Sequence, residues 1–270
     1  MKHPPPMKIY ILTDLEGVAG VVTPSQTSKG TKDYEEARRL LTAELTSAVD
    51  GILSASGGAE VYVNDGHNGG FNLVLENLHE EAKIVHGAPR PMALGGLDGS
   101  FDAVFLIGFH AMAGAKGVLS HTMSSRHIYR VLLNGSEIGE IGIESLIAGY
   151  YGVPVALVTG DEAATKEARS LLGTVETVTV KWSLGRTFAI SLSPRKARRL
   201  IREGAFKAVK SISKFKPLRV EPPYEVVVEY LLAESAEVRA KVKGVEKVDE
   251  RTIKVRSDDI IEVLTLAGMC

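Results

Sequence analysis

Short apolar segments that alternate with helix-like segments constrain the fold of this chain more than any other feature. Two of them, "FDAVFLIGFHA" and "VPVALVTGD", are apolar at nearly every position, which is typical of strands buried on both faces of a parallel sheet. "KIYILTDLEG" and "AEVYVNDGH" are two further predicted strands, and the predicted helix "DYEEARRLLTAELTSAVDGILSAS" lies between them. The alternation predicts an α/β fold with a mostly parallel, doubly wound sheet.

A smaller second unit is predicted from the change of pattern after residue 188. The segment "SPRKARRLIREGAFKAVKSI" predicts a helix with Ser193 as its N-cap and Pro194 in its first turn. Shorter strand-like and helix-like segments follow it, and a hairpin with an Asn134-Gly135 turn precedes it. We therefore expect an α/β domain over residues 1–188 and a smaller α+β domain over residues 189–270.

Charge and cysteine content narrow the class of protein and its surroundings. The formal net charge is −1, so no global field favours nucleic acid or an anionic membrane. The single cysteine, Cys270, excludes a disulfide within the chain and fits a reducing compartment. The first residues lack the apolar core of a signal peptide, and no apolar run approaches the roughly 20 residues that cross a bilayer. We expect a cytoplasmic protein without nucleic-acid or membrane partners.

Acidic and histidine side chains follow three of the predicted strands. Asp14 and Glu16 end the first strand, Asp65 and His67 end the second, and His110 follows a third. A parallel sheet places the carboxyl ends of its strands at one edge, so these side chains should converge. Two neighbouring carboxylates repel unless a cation or a proton lies between them. The pattern therefore favours a metal site over isolated structural residues.

Further candidate residues follow His110 in the sequence. "LSHTMSSRH" contains His121, and "NGSEIGEIGIES" contains Glu137, Glu140 and Glu144. Glu140 lies nearest the predicted helix start, where a carboxylate is stabilised by the helix dipole. The mixed oxygen and nitrogen set suits zinc, and five ligands suit two ions that share a bridging carboxylate. The resulting candidate ligands are Asp14, Glu16, His67, His110 and one of the three glutamates.

The motifs together resemble one known family. "TDLEGVAG", "VNDGHNGGFN", "GFHAMAG", "LSHTMSS", "LNGSEIGEIGIES" and "AGYYGVPVALVTGDE" occur in the order seen in the zinc-dependent D-aminopeptidases of the dipeptide-operon type, which form self-compartmentalising rings. The likeness runs from Lys8 to about Gly268. It implies an α/β domain with a smaller C-terminal domain, the latter serving assembly or acting as a lid. It also implies a homodecamer of two stacked five-membered rings.

The resemblance also implies a role for each metal ligand. Asp14 matches the aspartate that bridges two Zn²⁺ ions in each subunit. Glu16 and His110 match ligands of one ion, and His67 and Glu140 match ligands of the other. The first domain, residues 1–188, would then be the catalytic, metal-binding domain.

His121 matches the family's catalytic histidine, while Thr13 replaces the serine that usually precedes the first aspartate. The predicted enzyme is a metallo-aminopeptidase that removes N-terminal, D-configured residues from short peptides by a metal-activated water assisted by His121. The substrate's amino terminus would bind zinc or an acid such as Asp65 or Glu144. Another dinuclear hydrolase, such as a phosphoesterase, is the alternative, since similar clusters serve phosphate chemistry. A closed structural metal site is disfavoured by the near absence of thiols.

Overall fold

The computed structural model describes residues 5–87 and 92–270 of the chain. The strands in these ranges are β1 (Lys8–Thr13), β2 (Glu60–Asp65), β3 (Ala82–Val85), β4 (Ala103–Phe109), β5 (Ile128–Leu133), β6 (Ser136–Glu137), β7 (Val155–Asp161), β8 (Glu176–Gly185), β9 (Phe188–Ser191), β10 (Tyr224–Tyr230), β11 (Glu246–Lys247) and β12 (Thr252–Ser257). The α-helices are α1 (Lys32–Ala55), α2 (Glu140–Tyr150), α3 (Glu162–Leu172), α4 (Pro194–Lys210), α5 (Ala233–Arg239) and α6 (Ile260–Ala267). Within the described ranges, no helix combines the length and apolar character needed to cross a bilayer.

The larger sheet has the strand order β3-β2-β1-β4-β7-β8-β9. Its strands run parallel except β9, which is antiparallel to β8. Ile9 and Ile11 of β1 pack in one apolar core with α1 and α4, whereas Tyr10 and Leu12 pack in a second core with α2 and α3. Alternate residues of a strand face opposite sides, so helices cover both faces of the sheet. The predicted α/β fold with a mostly parallel, doubly wound sheet is confirmed.

Helix α1 begins directly after a threonine that caps its first turn. Thr31 is the N-cap, and its hydroxyl accepts a hydrogen bond from the Tyr34 amide at 3.0 Å. The apolar face of the helix packs against α4. Gly51 permits this close crossing, since a Cβ there would lie 2.3 Å from the carbonyl oxygen of Arg202. The helix is thereby fixed against the sheet that carries the strand ends.

The second sheet is antiparallel and has the order β11-β12-β10-β5-β6. The predicted Asn134-Gly135 turn joins β5 to β6, and both residues have the positive φ angles, 49° and 80°, that a tight hairpin turn requires. Strand β5 precedes residue 188 and β10 follows it, while β9, over residues 188–191, completes the larger sheet. The division into units at residue 188 stays a prediction.

The loop after β1 packs directly on the end of β4. The amide of Asp14 donates to the carbonyl of Ile107 at 2.8 Å, and that of Gly17 donates to Gly108 at 2.7 Å. Gly108 has φ +79°, and a Cβ there would lie 2.2 Å from the carbonyl oxygen of Asp14. Only glycine fits such an approach. The contact sets the position of the two acids that follow β1.

Candidate metal centre

The ends of β1, β2 and β4 bring four of the predicted ligands together. The Nδ1 atom of His67 lies 3.0 Å from Asp14 Oδ1 and 3.0 Å from Glu16 Oε2. The Nε2 atom of His110 lies 3.4 Å from Asp14 Oδ2. All four side chains are buried. Parallel register explains the convergence, because Thr13 pairs with Asp65 on one side and with Ile107 on the other.

The start of helix α2 supplies a fifth side chain. Glu140 is the first residue of α2, and its Oε1 lies 3.4 Å from His110 Nε2. The same oxygen accepts a hydrogen bond from the Met123 amide at 2.7 Å. Glu137 instead lies exposed on β6 and forms an ion pair with Arg130 at 3.3 Å. Glu140, unlike Glu137, therefore lies in contact with the histidines.

Some contacts in the cluster link ligands that the resemblance assigns to different ions, while one compact set, Asp14, Glu16 and His110, agrees with that assignment. His67, expected to share an ion with Glu140, contacts Asp14 and Glu16. His110 contacts both Asp14 and Glu140. Two sets have ligand atoms within 4.8 Å of one another, namely Asp14, Glu16 and His110, and His110, His121 and Glu140. His110 thus lies between the two groups, and the closest contacts of Glu16 are with His67.

Each of the three histidines here is oriented by a backbone carbonyl. The bonds join His67 Nε2 to the oxygen of Thr27 at 3.0 Å, His110 Nδ1 to that of Ala111 at 2.9 Å, and His121 Nδ1 to that of Leu119 at 3.0 Å. A carbonyl only accepts, so each of these ring nitrogens donates. The other nitrogen of each ring faces the carboxylates. Metal-ligating histidines typically have this arrangement.

The donor atoms at the centre of the cluster fit a cation. Within the described part of the chain, the buried atoms Asp14 Oδ2, Glu16 Oε2 and His110 Nε2 make no hydrogen bond. They contact one another or His67 at 3.0–3.4 Å without forming hydrogen bonds, and burying polar atoms without hydrogen bonds is unfavourable. Carboxylate oxygens and imidazole nitrogens are the ligands that zinc prefers apart from thiolates. The residues present therefore fit one or more divalent ions.

Strong mutual charges shift the pKa values of these groups. Burial raises the pKa of Asp14, but the His67 hydrogen bond and the charges of His110 and His67 outweigh it and hold the pKa well below its usual range. Burial lowers the pKa of His110, but Glu140 and Asp14 overcome it and raise the pKa to about 10. The rings of His67 and His110, whose pKa values are both raised, thus hold protons tightly among the carboxylates. A divalent cation offers the same positive charge, so its binding would release protons.

His121 lies on the loop between β4 and β5, beside the cluster. Its amide donates to the carbonyl of Ala111 at 3.2 Å, and its ring stacks on that of His110 with centroids 4.0 Å apart. Its Nε2 lies 3.7 Å from Glu140 Oε1. The stacking and the carbonyl bond hold the imidazole in one orientation.

A cavity of about 710 Å³ opens onto the cluster. This volume suits a small ligand. The acidic and histidine side chains that line it are those of Asp14, Glu16, His67, His121, His127, Glu140 and Glu144. The cavity therefore gives a substrate access to His121 and to four of the candidate ligands, Asp14, Glu16, His67 and Glu140.

Asp65 ends β2 but serves the loop that follows it. Its Oδ2 accepts the amides of Asn72 and Leu73 at 2.5 and 3.0 Å, and its Oδ1 accepts the Asn72 side chain at 2.6 Å. Asp65 is buried. The loop that carries His67 is organised by this carboxylate.

Two buried charged residues that support the site were not predicted. Lys181 of β8 is fully buried, and its Nζ donates to the carbonyls of Glu16, Val18 and Val21, the Val18 bond being 2.9 Å long. Burial lowers the pKa of Lys181 to about 8. No spacing in "VETVTVKWS" distinguishes this lysine from an exposed one.

Glu44 of α1 is also buried, and its Oε1 accepts the amide of Ala19 at 2.9 Å. Burial raises the pKa of Glu44 to about 7. Glu44 falls three residues after Leu41 and four before Ala48, which places an acid on the apolar face of the helix. This spacing could have predicted from the sequence that the Glu44 carboxylate is buried.

Comparison with known proteins identifies close relatives. A family model described as D-aminopeptidase matches residues 7–268. A D-aminopeptidase of Bacillus subtilis (strain 168) is 35% identical over 260 residues, which cover 95% of this chain and 93% of the relative. The solved structure of the Zn-dependent D-aminopeptidase DppA from Bacillus subtilis, described as a self-compartmentalizing protease, superposes with a TM-score of 0.92 at 33% identity. That match covers 97% of this chain and 96% of the other.

Proposed function

Because this chain belongs to the D-aminopeptidase family and is a metallo-aminopeptidase, we propose that it is a dinuclear zinc enzyme that removes N-terminal D-amino acids from short peptides. The resemblance drawn from the motifs is confirmed, and the phosphoesterase alternative is not favoured. One observation carries the proposal for the site. Three imidazoles each donate to a backbone carbonyl through one nitrogen, and the other nitrogen faces a group of carboxylates that are buried or nearly so.

The proposed metal ligands are Asp14, Glu16, His67, His110 and Glu140. Asp14 would bridge the ions, since its two oxygens face different histidines. Glu16 and His110 would hold one ion and His67 and Glu140 the other, as the resemblance implies, and the ligand atoms of Asp14, Glu16 and His110 lie within 4.8 Å of one another. Zinc is favoured because the structural relative is Zn-dependent and because the donor set suits it. When bound, zinc polarises a peptide carbonyl and activates water.

His121 is proposed to move the proton of the reaction. Its Nδ1 donates to the carbonyl of Leu119, so in the neutral ring Nε2 carries the lone pair. That atom faces Glu140 at 3.7 Å, and the ring lines the cavity. A general base needs such an unprotonated nitrogen within reach of the reacting atoms. His121 would therefore accept a proton at Nε2 or stabilise developing charge as a donor there.

Glu144 is proposed to hold the amino terminus of the substrate. It lies one helical turn after Glu140 on α2 and lines the same cavity while being buried. A carboxylate with little access to water attracts an ammonium group strongly. Asp65, the other acid considered for this role, already accepts three hydrogen bonds from its own loop. An anchored amino terminus would restrict cleavage to the first peptide bond.

Assembly and location are also proposed. The relative's description as self-compartmentalizing supports association of copies of this chain. The family resemblance supports a homodecamer of two stacked rings, with residues 189–270 serving assembly or acting as a lid. The single cysteine, Cys270, supports the cytoplasm as the compartment.

The test is hydrolysis of matched D- and L-alaninamide by the zinc-loaded protein, wild type and His121→Ala. We expect the D-amide to be cleaved in preference, and turnover to fall about 100-fold or more in His121→Ala while bound zinc is retained. Equal cleavage of both amides would contradict D-selectivity. Loss of zinc from His121→Ala would make His121 a ligand. Cleavage of a simple phosphodiester without cleavage of either amide would overturn the peptidase proposal.

A further inference from the structure

We infer that Arg126 binds the C-terminal carboxylate of the substrate, so that the enzyme selects short peptides with a free carboxyl end. This inference rests on the proposed function and adds a specificity-determining residue to it. Arg126 lies in the cavity wall together with His121 and Glu140. Its position, its freedom from other contacts and the charge of the cavity all support the role.

The segment that carries Arg126 is attached to the metal centre. The Met123 amide donates to Glu140 Oε1 at 2.7 Å. The Ser124 carbonyl then accepts the amides of His127 and Ile128 at 3.4 and 3.1 Å, which closes a turn around Arg126. The backbone of Arg126 is thus fixed only a few residues from His121. The Arg126 side chain therefore extends from a fixed backbone in the wall of the cavity that a small substrate would occupy.

The charge balance of the cavity leaves Arg126 as an available cation. Lys29 also lines the cavity, but its ammonium donates to the carbonyls of Asn68 and Gly70 at 3.2 and 2.8 Å. The Arg126 side chain is exposed and makes no hydrogen bond or ion pair with any residue that the structure describes. Its five N–H donors are therefore open to a ligand.

The chemistry of a short peptide matches these features. A dipeptide is a zwitterion, with an ammonium group at one end and a carboxylate at the other. The carboxylates of the cavity suit the ammonium end, whereas a guanidinium binds a carboxylate by two parallel hydrogen bonds. A cavity of about 710 Å³ accommodates a molecule of this size. Longer peptides and C-terminal amides lack the charge at the right place.

The experiment compares D-alanyl-D-alanine with its C-terminal amide as substrates of the zinc-loaded enzyme. We expect the wild type to prefer the free acid, chiefly through a lower KM. Arg126→Ala should lower the ratio of kcat/KM for the acid to that for the amide by about tenfold to 100-fold. Arg126→Lys should restore part of the preference, because an ammonium keeps the charge but not the paired geometry. Added salt should weaken the preference of the wild type.

Lys116→Ala is the matched control, because Lys116 is an exposed cation of the same β4–β5 loop and is not among the residues lining the cavity. It should leave the ratio unchanged. Cleavage of acid and amide with the same ratio in the wild type and Arg126→Ala would overturn the inference while leaving the aminopeptidase intact. Failure of the loaded wild type to cleave either substrate would overturn the proposed function, and the inference with it. Zinc content equal to that of the wild type shows that each variant is folded.

Discussion

Asp14 and Asp65 end neighbouring strands of one sheet, yet their carboxylates have different surroundings. The register pairs Thr13 of β1 with Asp65 of β2, and both aspartates are buried. Asp65 is saturated by three hydrogen bonds from Asn72 and Leu73. Asp14 faces two histidines, and within the described residues its Oδ2 makes no hydrogen bond. The strand end places a carboxylate, but the following loop decides whether that carboxylate is structural or open to a ligand.

The largest effect on zinc binding and activity should come from removing the carboxylate of Asp14. Asp14→Ala takes away the proposed bridging ligand, so both zinc ions should be lost and kcat/KM should fall by at least about 1,000-fold, a loss of several kcal/mol of transition-state stabilisation. Zinc content by elemental analysis and hydrolysis of D-alaninamide would measure both. Two ions per chain in this variant would disprove the bridging role and remove the contrast with Asp65.

Changing Asp65, whose carboxylate is fully hydrogen-bonded, should lower the stability of the fold instead. Asp65→Asn places a donor against the donors of residues 72 and 73, so we expect the free energy of unfolding to fall by about 3 kcal/mol. Zinc binding should persist, with affinity weakened about tenfold through the His67 loop. Urea unfolding of the metal-free protein and zinc titration would test this. If Asp65→Asn lost zinc as completely as Asp14→Ala, the two aspartates would not differ in kind.

The hydrogen bonding of Glu44 is intermediate between that of Asp14 and that of Asp65. One of its oxygens accepts the Ala19 amide, while the other makes no hydrogen bond within the described residues. Burial raises the pKa of Glu44 to about 7 from 4.5, so the folded state holds a proton that the unfolded state releases between these values. The associated stability is present below pH 4.5 and is lost as the pH rises through 7, by about 2 kcal/mol between pH 5 and pH 7. Nearby Lys181 and Arg198 oppose the shift.

Glu44→Gln mimics the protonated carboxyl, so its urea stability should depend less on pH by that amount. Glu36→Gln, an exposed acid of the same helix, is the matched control and should follow the wild type. An equal pH slope in wild type and Glu44→Gln would show that Glu44 is ionised in the folded protein. It would then behave like Asp14 rather than as an intermediate case.

The sequence was sufficient to predict that the candidate metal ligands lie together. It was not sufficient to distinguish them from Asp65, whose carboxylate is fully hydrogen-bonded within its own loop. Apolar runs and the residues that end them predict that Asp14, His67 and His110 meet, because parallel register aligns strand ends. The same pattern makes Asp65 look equivalent to Asp14, since its partners depend on how the loop to Leu73 folds.

Contacts between distant segments are a second limit. Lys181 donates a hydrogen bond to the carbonyl of Glu16 from β8, which is separated from β1 by β4 and β7 in the sheet. The residues next to Lys181 in the sequence do not predict this contact. The placement of β5 in the second sheet depends likewise on pairing with β10. Periodicity identifies a strand but not its partner.

The Lys181 ammonium also orders events during synthesis. The carbonyls that it binds, from Glu16 to Val21, emerge from the ribosome some 160 residues earlier than their partner. Until β8 has been translated and added to the sheet, the turn that presents the first two acids lacks the group that closes it. The turn that carries Glu16 therefore reaches its final set of hydrogen bonds only once most of the polypeptide exists.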